Sequence, residues 1–370
     1  MIQSQKKLQA DLHIFLSSIA ALIVIGLLFI YSSSSVFAFE RLGSSFYFVK
    51  KQLIGLSLGL IGLLLFRIVP LELIKNASPY LFLSSLVATM LTFVPGLSLR
   101  IHGSNRWLSL PGLSFQPSEL LRIFLIIYLA YFLSKKEGKL GSFFSGFFPF
   151  LIIVGAPCLI LLAQPDFGMA VTIASTSFML FFVIHFSSYL FFGTLGIAIP
   201  VILLLIFKYP YRLKRIAIFL NPWNDPQGAG FQIIQSLIAI GSGSFWGTGV
   251  SHSKQKFFYL PMQHTDFIFS IIAEETGFIG ATLLIALYVV FLYVGMRIAW
   301  QLKDLFSVLV VLGFVILTSL QAVINLAVTT GLAPTKGIGL PFVSYGNSAL
   351  ICGLCMVGLV MNCVADNRRF

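Results

Sequence analysis

The chain has 370 residues, of which 58% are hydrophobic and only 10% charged, with 38 phenylalanines and a formal net charge of +12. Soluble domains carry about 25% charged residues, so this composition excludes a soluble globular protein and calls for one helical membrane domain over residues 1–370. The positive charge does not point to nucleic acid, because the basic residues flank apolar runs and not a soluble module.

The first apolar run, 13–32, follows Lys6 and Lys7 and lacks a small-residue cleavage pattern in the serines that close it. It is long enough to span, so it reads as a retained first helix and not a signal peptide. Further windows lie at 48–67, 77–95, 115–134, 147–163, 167–184, 188–207, 267–296, 307–329 and 343–363. Backbone in lipid must close its own hydrogen bonds, so each is predicted to be a helix. The expected fold is an all-α polytopic membrane protein of ten transmembrane helices, with a large outer loop, 208–265, between the seventh and eighth. Ten spans put both termini on one side. Lys and Arg totals on the two faces nearly tie, but Lys6, Lys7 and the Lys135-Lys136-Glu137-Gly138-Lys139 segment assign that side to the cytoplasm. The cysteines, Cys158, Cys352, Cys355 and Cys363, sit in or beside apolar runs and read as small apolar filler.

Six polar groupings then fall on the outer face. Gly103-Ser104-Asn105-Arg106-Trp107 precedes Phe115-Gln116-Pro117-Ser118-Glu119. Arg106 beside Trp107 suits an interfacial anchor as well as an anion site. Glu119 lies within a span three residues before Arg122, so the two can pair on one helix face, as structure or as part of a site. In Gln164-Pro165-Asp166-Phe167-Gly168 the carboxylate either caps the next helix or supports a site. Asn221-Pro222-Trp223-Asn224-Asp225-Pro226 predicts a tight turn, followed by a short helix on or dipping into the membrane at 229–240. Gly241 to Gly249 is too glycine-rich for helix; its N–H groups could cradle an anion, or the stretch is simply a flexible loop.

Lys254, Gln255 and Lys256 lead to His264, Thr265 and Asp266, where a basic loop enters an apolar segment. A carboxylate at the rim of a hydrocarbon span is costly unless it has a partner or a task. Thr265 or Asp266 as a helix N-cap is one account; a general base beside an anion site is the other. Glu274 and Glu275, deeper in the same helix, read as structural acids. Finally, 329–348 has the Gly/Pro signature of a broken helix, and Lys336 is its one charge.

These motifs resemble the SEDS family of bacterial shape, elongation, division and sporulation proteins. The likeness rests on Gly103-x-x-Arg106-Trp107, Phe115 to Glu119, Gln164 to Gly168, His264 to Phe269 and Ser344-Tyr345-Gly346, in that order along essentially the whole chain. Asn221-Pro222-Trp223 and Ser253-Lys254-Gln255-Lys256 with Tyr259-Leu260-Pro261 look closer to the cell-division branch than to the elongation branch. Two departures stand out: Met262-Gln263 before His264, and Asn347 in place of a glycine, where Asn is among the better residues if a positive φ is needed.

The resemblance implies an inner-membrane enzyme that polymerises lipid II into glycan strands, releasing undecaprenyl diphosphate during septal wall synthesis. It implies partnership with a class B penicillin-binding protein and other divisome membrane proteins. Carried onto this chain, Asp266 is the expected catalytic base and Lys336 and Arg106 the expected substrate cations, with Lys254 and Lys256 as further candidates. Glu119, Asp166, His264 and Ser344 are expected to support them. No tightly bound cofactor is expected, while a divalent cation such as Mg2+ suits the substrate diphosphate. The alternatives are a lipid II flippase, an elongation-specific polymerase or a divisome scaffold. Transport would spread essential polar groups to the midplane and both faces; here they gather on one.

Overall fold

Nine helices are long and apolar enough to cross a membrane among the residues described by this computed structural model, namely 2–101, 104–110, 113–208, 210–228, 230–253, 255 and 263–367. They are α1 (Ile2–Leu42), α2 (Tyr47–Ile68), α4 (Pro117–Lys135), α5 (Phe148–Ala163, extended by a π-helical turn to Phe143–Ala163), α6 (Phe167–Ile184), α7 (Ser188–Lys208), α10 (Ile268–Gln301), α11 (Leu305–Thr329) and α12 (Asn347–Asp366). The protein is a polytopic helical membrane protein. A further helix, α3 (Leu71–Met90), is 20 residues long but carries Glu72, Lys75 and Asn76 and is less apolar than the nine. The predicted outer loop contains two shorter helices, α8 (Pro210–Leu220) and α9 (Phe231–Gly243).

α1 runs for 41 residues, about 60 Å at 1.5 Å per residue, so it projects well past a hydrocarbon layer of about 30 Å. Its N-terminal half is tied to the far end of α10, where Arg297 pairs with Asp11 at 3.1 Å and Gln301 Nε2 donates to Asp11 at 2.7 Å. Phe15 stacks on Phe291 along the same contact, with ring centroids 4.9 Å apart. The most extensive helix pair is α2 with α12. Gly55 and Gly59, four residues apart on α2, let the backbones approach: a β-carbon at Gly55 would lie 2.8 Å from Asn347 Oδ1. Small residues at this spacing drive helix association in lipid, where apolar burial gives no advantage. Asn362 of α12 then donates to the Phe66 and Val69 carbonyls at 2.9 and 2.7 Å, satisfying the otherwise open end of α2.

Between α3 and α4 the chain forms a small antiparallel sheet, β1 (Ser98–Ile101), β2 (Ser104–Leu110) and β3 (Leu113–Phe115), in the order β1-β2-β3. This departs from the purely helical expectation. Leu99 pairs in register with Trp107, and Leu108 with Phe115.

The glycine stretch also behaves differently from expectation. α9 continues to Gly243, and the residues beyond it clasp a kink in α10 at Gly277, whose φ is 68°. Thr248 N donates to Glu274 O at 2.9 Å, Gly249 N to Glu275 O at 3.0 Å and Phe278 N to Ser244 O at 2.9 Å. Those N–H groups are occupied by protein carbonyls, so they do not form an anion cradle. Glu274 and Glu275 are buried structural acids: Ser253 Oγ bonds to Glu274, and Ser32 Oγ donates to Glu275 at 2.6 Å.

Candidate functional site

A cavity of about 850 Å³ opens among α4, α6, α8, α11 and the segments before α10 and α12. Its polar lining carries Arg106, Asp166, Arg212, Arg215, Asp266 and Lys336, and its apolar lining includes Ile123, Phe314, Leu317 and Gly353. The sequence candidates Arg106, Glu119, Asp166, Asp266, Lys336 and Ser344 therefore converge on one space. His264 sits behind it in an aromatic nest, its ring 4.3 Å from Phe48 and 5.7 Å from Tyr345. Lys254 and Lys256 lie outside the described residues.

Asp266 stands two residues before α10, whose N-cap is Phe267 with no side-chain cap bond. Helix capping, the simpler account of this carboxylate, is therefore not its role. Among the described residues the Asp266 side chain makes no hydrogen bond or ion pair. Burial pushes its pKa up to about 6, while the fields of Arg106 and Arg215 pull it down and that of Asp166 adds to the rise. A carboxylate balanced in this way exchanges protons near neutral pH, which is what base catalysis needs. His264 has the opposite fate: burial lowers its pKa to about 4, leaving the ring neutral.

Arg106 reaches from β2 to the corner between α5 and α6. Its Nε donates to Gln164 O at 3.2 Å, Nη2 to Pro165 O at 2.6 Å, and Nη1 pairs with Asp166 at 3.3 Å. Asp166 also caps α6, accepting from Met169 N at 3.1 Å. One carboxylate oxygen of Asp166 thus caps α6 while the other pairs with Arg106. Burial raises its pKa against the pull of Arg106 and of that backbone N–H. Glu119 and Arg122 form a buried pair at 2.6 Å, and Arg122 Nη1 extends to Gln321 Oε1 at 2.6 Å.

Lys336 belongs to the helix-free stretch between α11 and α12, as its glycines and prolines predict. It makes no ion pair among the described residues; its ammonium lies 5.4 Å from the centroid of Phe167, and Arg212 sits 5.0 Å from the same ring. Partial burial lowers the Lys336 pKa. Gly168 permits this approach, since a β-carbon there would come within 2.9 Å of Ile338 Cδ1. Arg215 Nη1 donates to Thr335 O at 2.9 Å, fixing α8 to the segment just before Lys336. Asn347 opens α12 with Gly346 before it as N-cap, so no left-handed turn depends on it. Positive φ in this stretch falls at Gly331, 73°, and at Phe342, 64°, the latter a strained value for a bulky side chain.

No group of three or more His, Cys, Asp or Glu side chains that could hold a metal occurs among the described residues. Of the carboxylates lining the cavity, Glu119 and Asp166 are engaged by arginines. Asp266 offers a single ligand, so the donor set fits a cation brought by the substrate better than a resident one.

Residues 13–369 match the cell cycle protein family of FtsW, RodA and SpoVE. The chain belongs to this family. Its SEDS resemblance is thereby upheld. Among its relatives, a probable peptidoglycan glycosyltransferase FtsW from Geobacter sp. (strain M18) is 43% identical over 337 residues, covering 91% of this chain and 92% of the relative. Stage V sporulation protein E of Bacillus subtilis (strain 168) is 41% identical over 359 residues, covering 96% and 97%. Among solved structures, a chain of a peptidoglycan synthase complex that coordinates polymerization and crosslinking superposes with a TM-score of 0.80 at 29% identity, covering 96% of this chain and 98% of that one. Thermus thermophilus RodA gives 0.69 at 25% identity, covering 95% and 96%.

Within this family member, four cavity or support residues escaped the sequence reading: Arg212, Arg215, Gln321 and Asn325. The two arginines sit in a basic cluster that suits lipid headgroups equally well. The two amides carried a usable signal, since they stand one turn apart inside an otherwise apolar span.

Proposed function

We propose that this protein is a peptidoglycan glycosyltransferase that polymerises lipid II in the bacterial cytoplasmic membrane, acting in septal wall synthesis. The observation that carries the reading is the Asp266 carboxylate, which neither caps a helix nor pairs with a cation among the described residues, at a cavity bordered by Arg106, Arg215 and Lys336. The family membership and the relatives' names support the same reading. In this proposal α3 serves as a tenth span, both termini are cytoplasmic, and 208–265 lies outside. A class B penicillin-binding protein is the partner, in keeping with the solved synthase complex.

Asp266 takes the proton of the acceptor 4-hydroxyl as that oxygen bonds to the donor sugar C1. The bond from C1 to the diphosphate oxygen breaks with its electron pair, and undecaprenyl diphosphate leaves. Lys336, Arg106 and Arg215 border the space where that charge develops; fixed cations in a half-dry site stabilise it more than water would. Any divalent cation travelling with the diphosphate supplies further charge neutralisation. Asp266 then returns its proton to solvent. The apolar part of the lining suits the start of the lipid tail, and the charged part suits the diphosphate and sugars.

The test is glycan synthesis from lipid II by the purified protein with its cognate partner. Asp266→Asn should abolish polymer while partner binding persists, and normal polymer from that variant would refute the assignment.

A further inference from the structure

The segments 264–266 and 336–345 bear the acid and the lysine assigned above, and no helix fixes either one. Hydrogen bonds join them instead. Ser344 Oγ donates to Thr265 O at 2.5 Å and accepts from Leu340 N at 2.7 Å, while Tyr345 N donates to His264 O at 2.9 Å. A further link comes from outside both segments. Asn325, on α11, donates from Nδ2 to Asp266 O at 2.8 Å and to Ile338 O at 2.7 Å. An amide nitrogen has two hydrogens, so one group serves both carbonyls. The reversed amide would aim its oxygen at two carbonyl oxygens, which settles the orientation. One turn earlier Gln321 Nε2 donates to Gly339 O at 3.0 Å, bringing the Glu119–Arg122 pair into the same framework.

We propose that Asn325 is a positioning residue of the transfer reaction, holding the Asp266 segment at a fixed separation from the Lys336 segment through its bridge between two carbonyls. The inference rests on the function proposed above. Two observations favour it over a general packing role. Asn325 Oδ1 is buried without a hydrogen-bond partner among the described residues, so the amide carries an unmet acceptor that a leucine would lack. Its value therefore lies in the donor end. Both groups it serves, moreover, belong to the two site segments and not to its own helix.

The experiment uses the full-length protein in lipid nanodiscs with its partner, comparing wild type with Asn325→Leu and Asn325→Asp. The leucine variant should polymerise lipid II with kcat reduced at least about tenfold and KM within about twofold. Its acid limb should move below pH 6 as the released Asp266 gains water. Amide exchange at Leu340 and Tyr345 should quicken at least about tenfold while α2 and α12 keep their protection. Asn325→Asp, which keeps the shape but presents oxygen to both carbonyls, should show the same local exchange. Wild-type exchange at Leu340 and Tyr345 in both variants would overturn the proposal. So would faster exchange there with unchanged kcat, or a uniform loss of protection through the whole fold. A wild-type protein that binds its partner yet forms no polymer would overturn the proposed function instead, and the exchange data would still judge the bridge.

Discussion

Asp266 Oδ2 stands 3.4 Å from the point where a β-carbon on Gly337 would sit, so the proposed base abuts the residue that follows Lys336. That distance is ordinary van der Waals contact, and Gly337 does not need a left-handed backbone. Gly337→Ala should therefore fold and retain most activity. Gly337→Leu should crowd the carboxylate and lower glycan synthesis at least about tenfold, since small displacements of reacting groups are costly. Steady-state rates for the two variants, beside their melting temperatures, check this.

The pH dependence should follow Asp266. A base must be deprotonated, so kcat/KM should fall as pH drops through about 6, the value to which burial raises this group. His264 does not compete for that limb, because its ring is already neutral above about pH 4. Arg215 pulls the Asp266 pKa down; Arg215→Gln should move the acid limb upward, by less than about one unit because the arginine is solvent-exposed. A pH–rate profile of the two proteins decides it.

Much of the site was legible because its signals are local. A lone carboxylate at a helix mouth, a lysine in a Gly/Pro-broken segment and a Glu119–Arg122 spacing of three residues each speak through a few neighbours. Spans likewise declare themselves by composition. The sheet at 98–115 was not legible, since its strands are three to seven residues long and gain meaning only by pairing. Nor could sequence show that Thr248 and Gly249, after α9, spend their N–H groups on the Glu274 and Glu275 carbonyls. Arg212 and Arg215 illustrate the same limit: α8 must be placed before a cation at its surface becomes a cation at the cavity.

The buried Glu119–Arg122 pair should behave as a unit. Removing one charge strands the other, at a cost of about 3–5 kcal/mol, so Glu119→Gln or Arg122→Met alone should lower the melting temperature sharply. Glu119→Leu with Arg122→Met should recover much of that stability. It should not recover full activity, because Gln321 loses the Arg122 donor that orients it toward Gly339. Thermal unfolding and polymerisation rates of the three variants separate the two effects.

The α2–α12 contact should tolerate little bulk. A β-carbon at Gly59 would lie 2.5 Å from Leu354 Cδ1 and 3.3 Å from the Ile351 backbone, so the helix cannot simply swing a side chain away. Gly59→Leu should prevent stable folding, while Gly43→Ala, in open space though with φ of 74°, should cost only about 1 kcal/mol. Recovery of monodisperse protein in detergent reads the difference.

The central claim is that Asp266 is the base. It is tested most directly by lipid II polymerisation with wild type and Asp266→Asn, each purified with the proposed penicillin-binding partner. The account predicts no glycan strands from the variant, with its melting temperature at pH 8 unchanged or higher, because a desolvated charge has been removed. Glycan strands of normal yield from Asp266→Asn would contradict it.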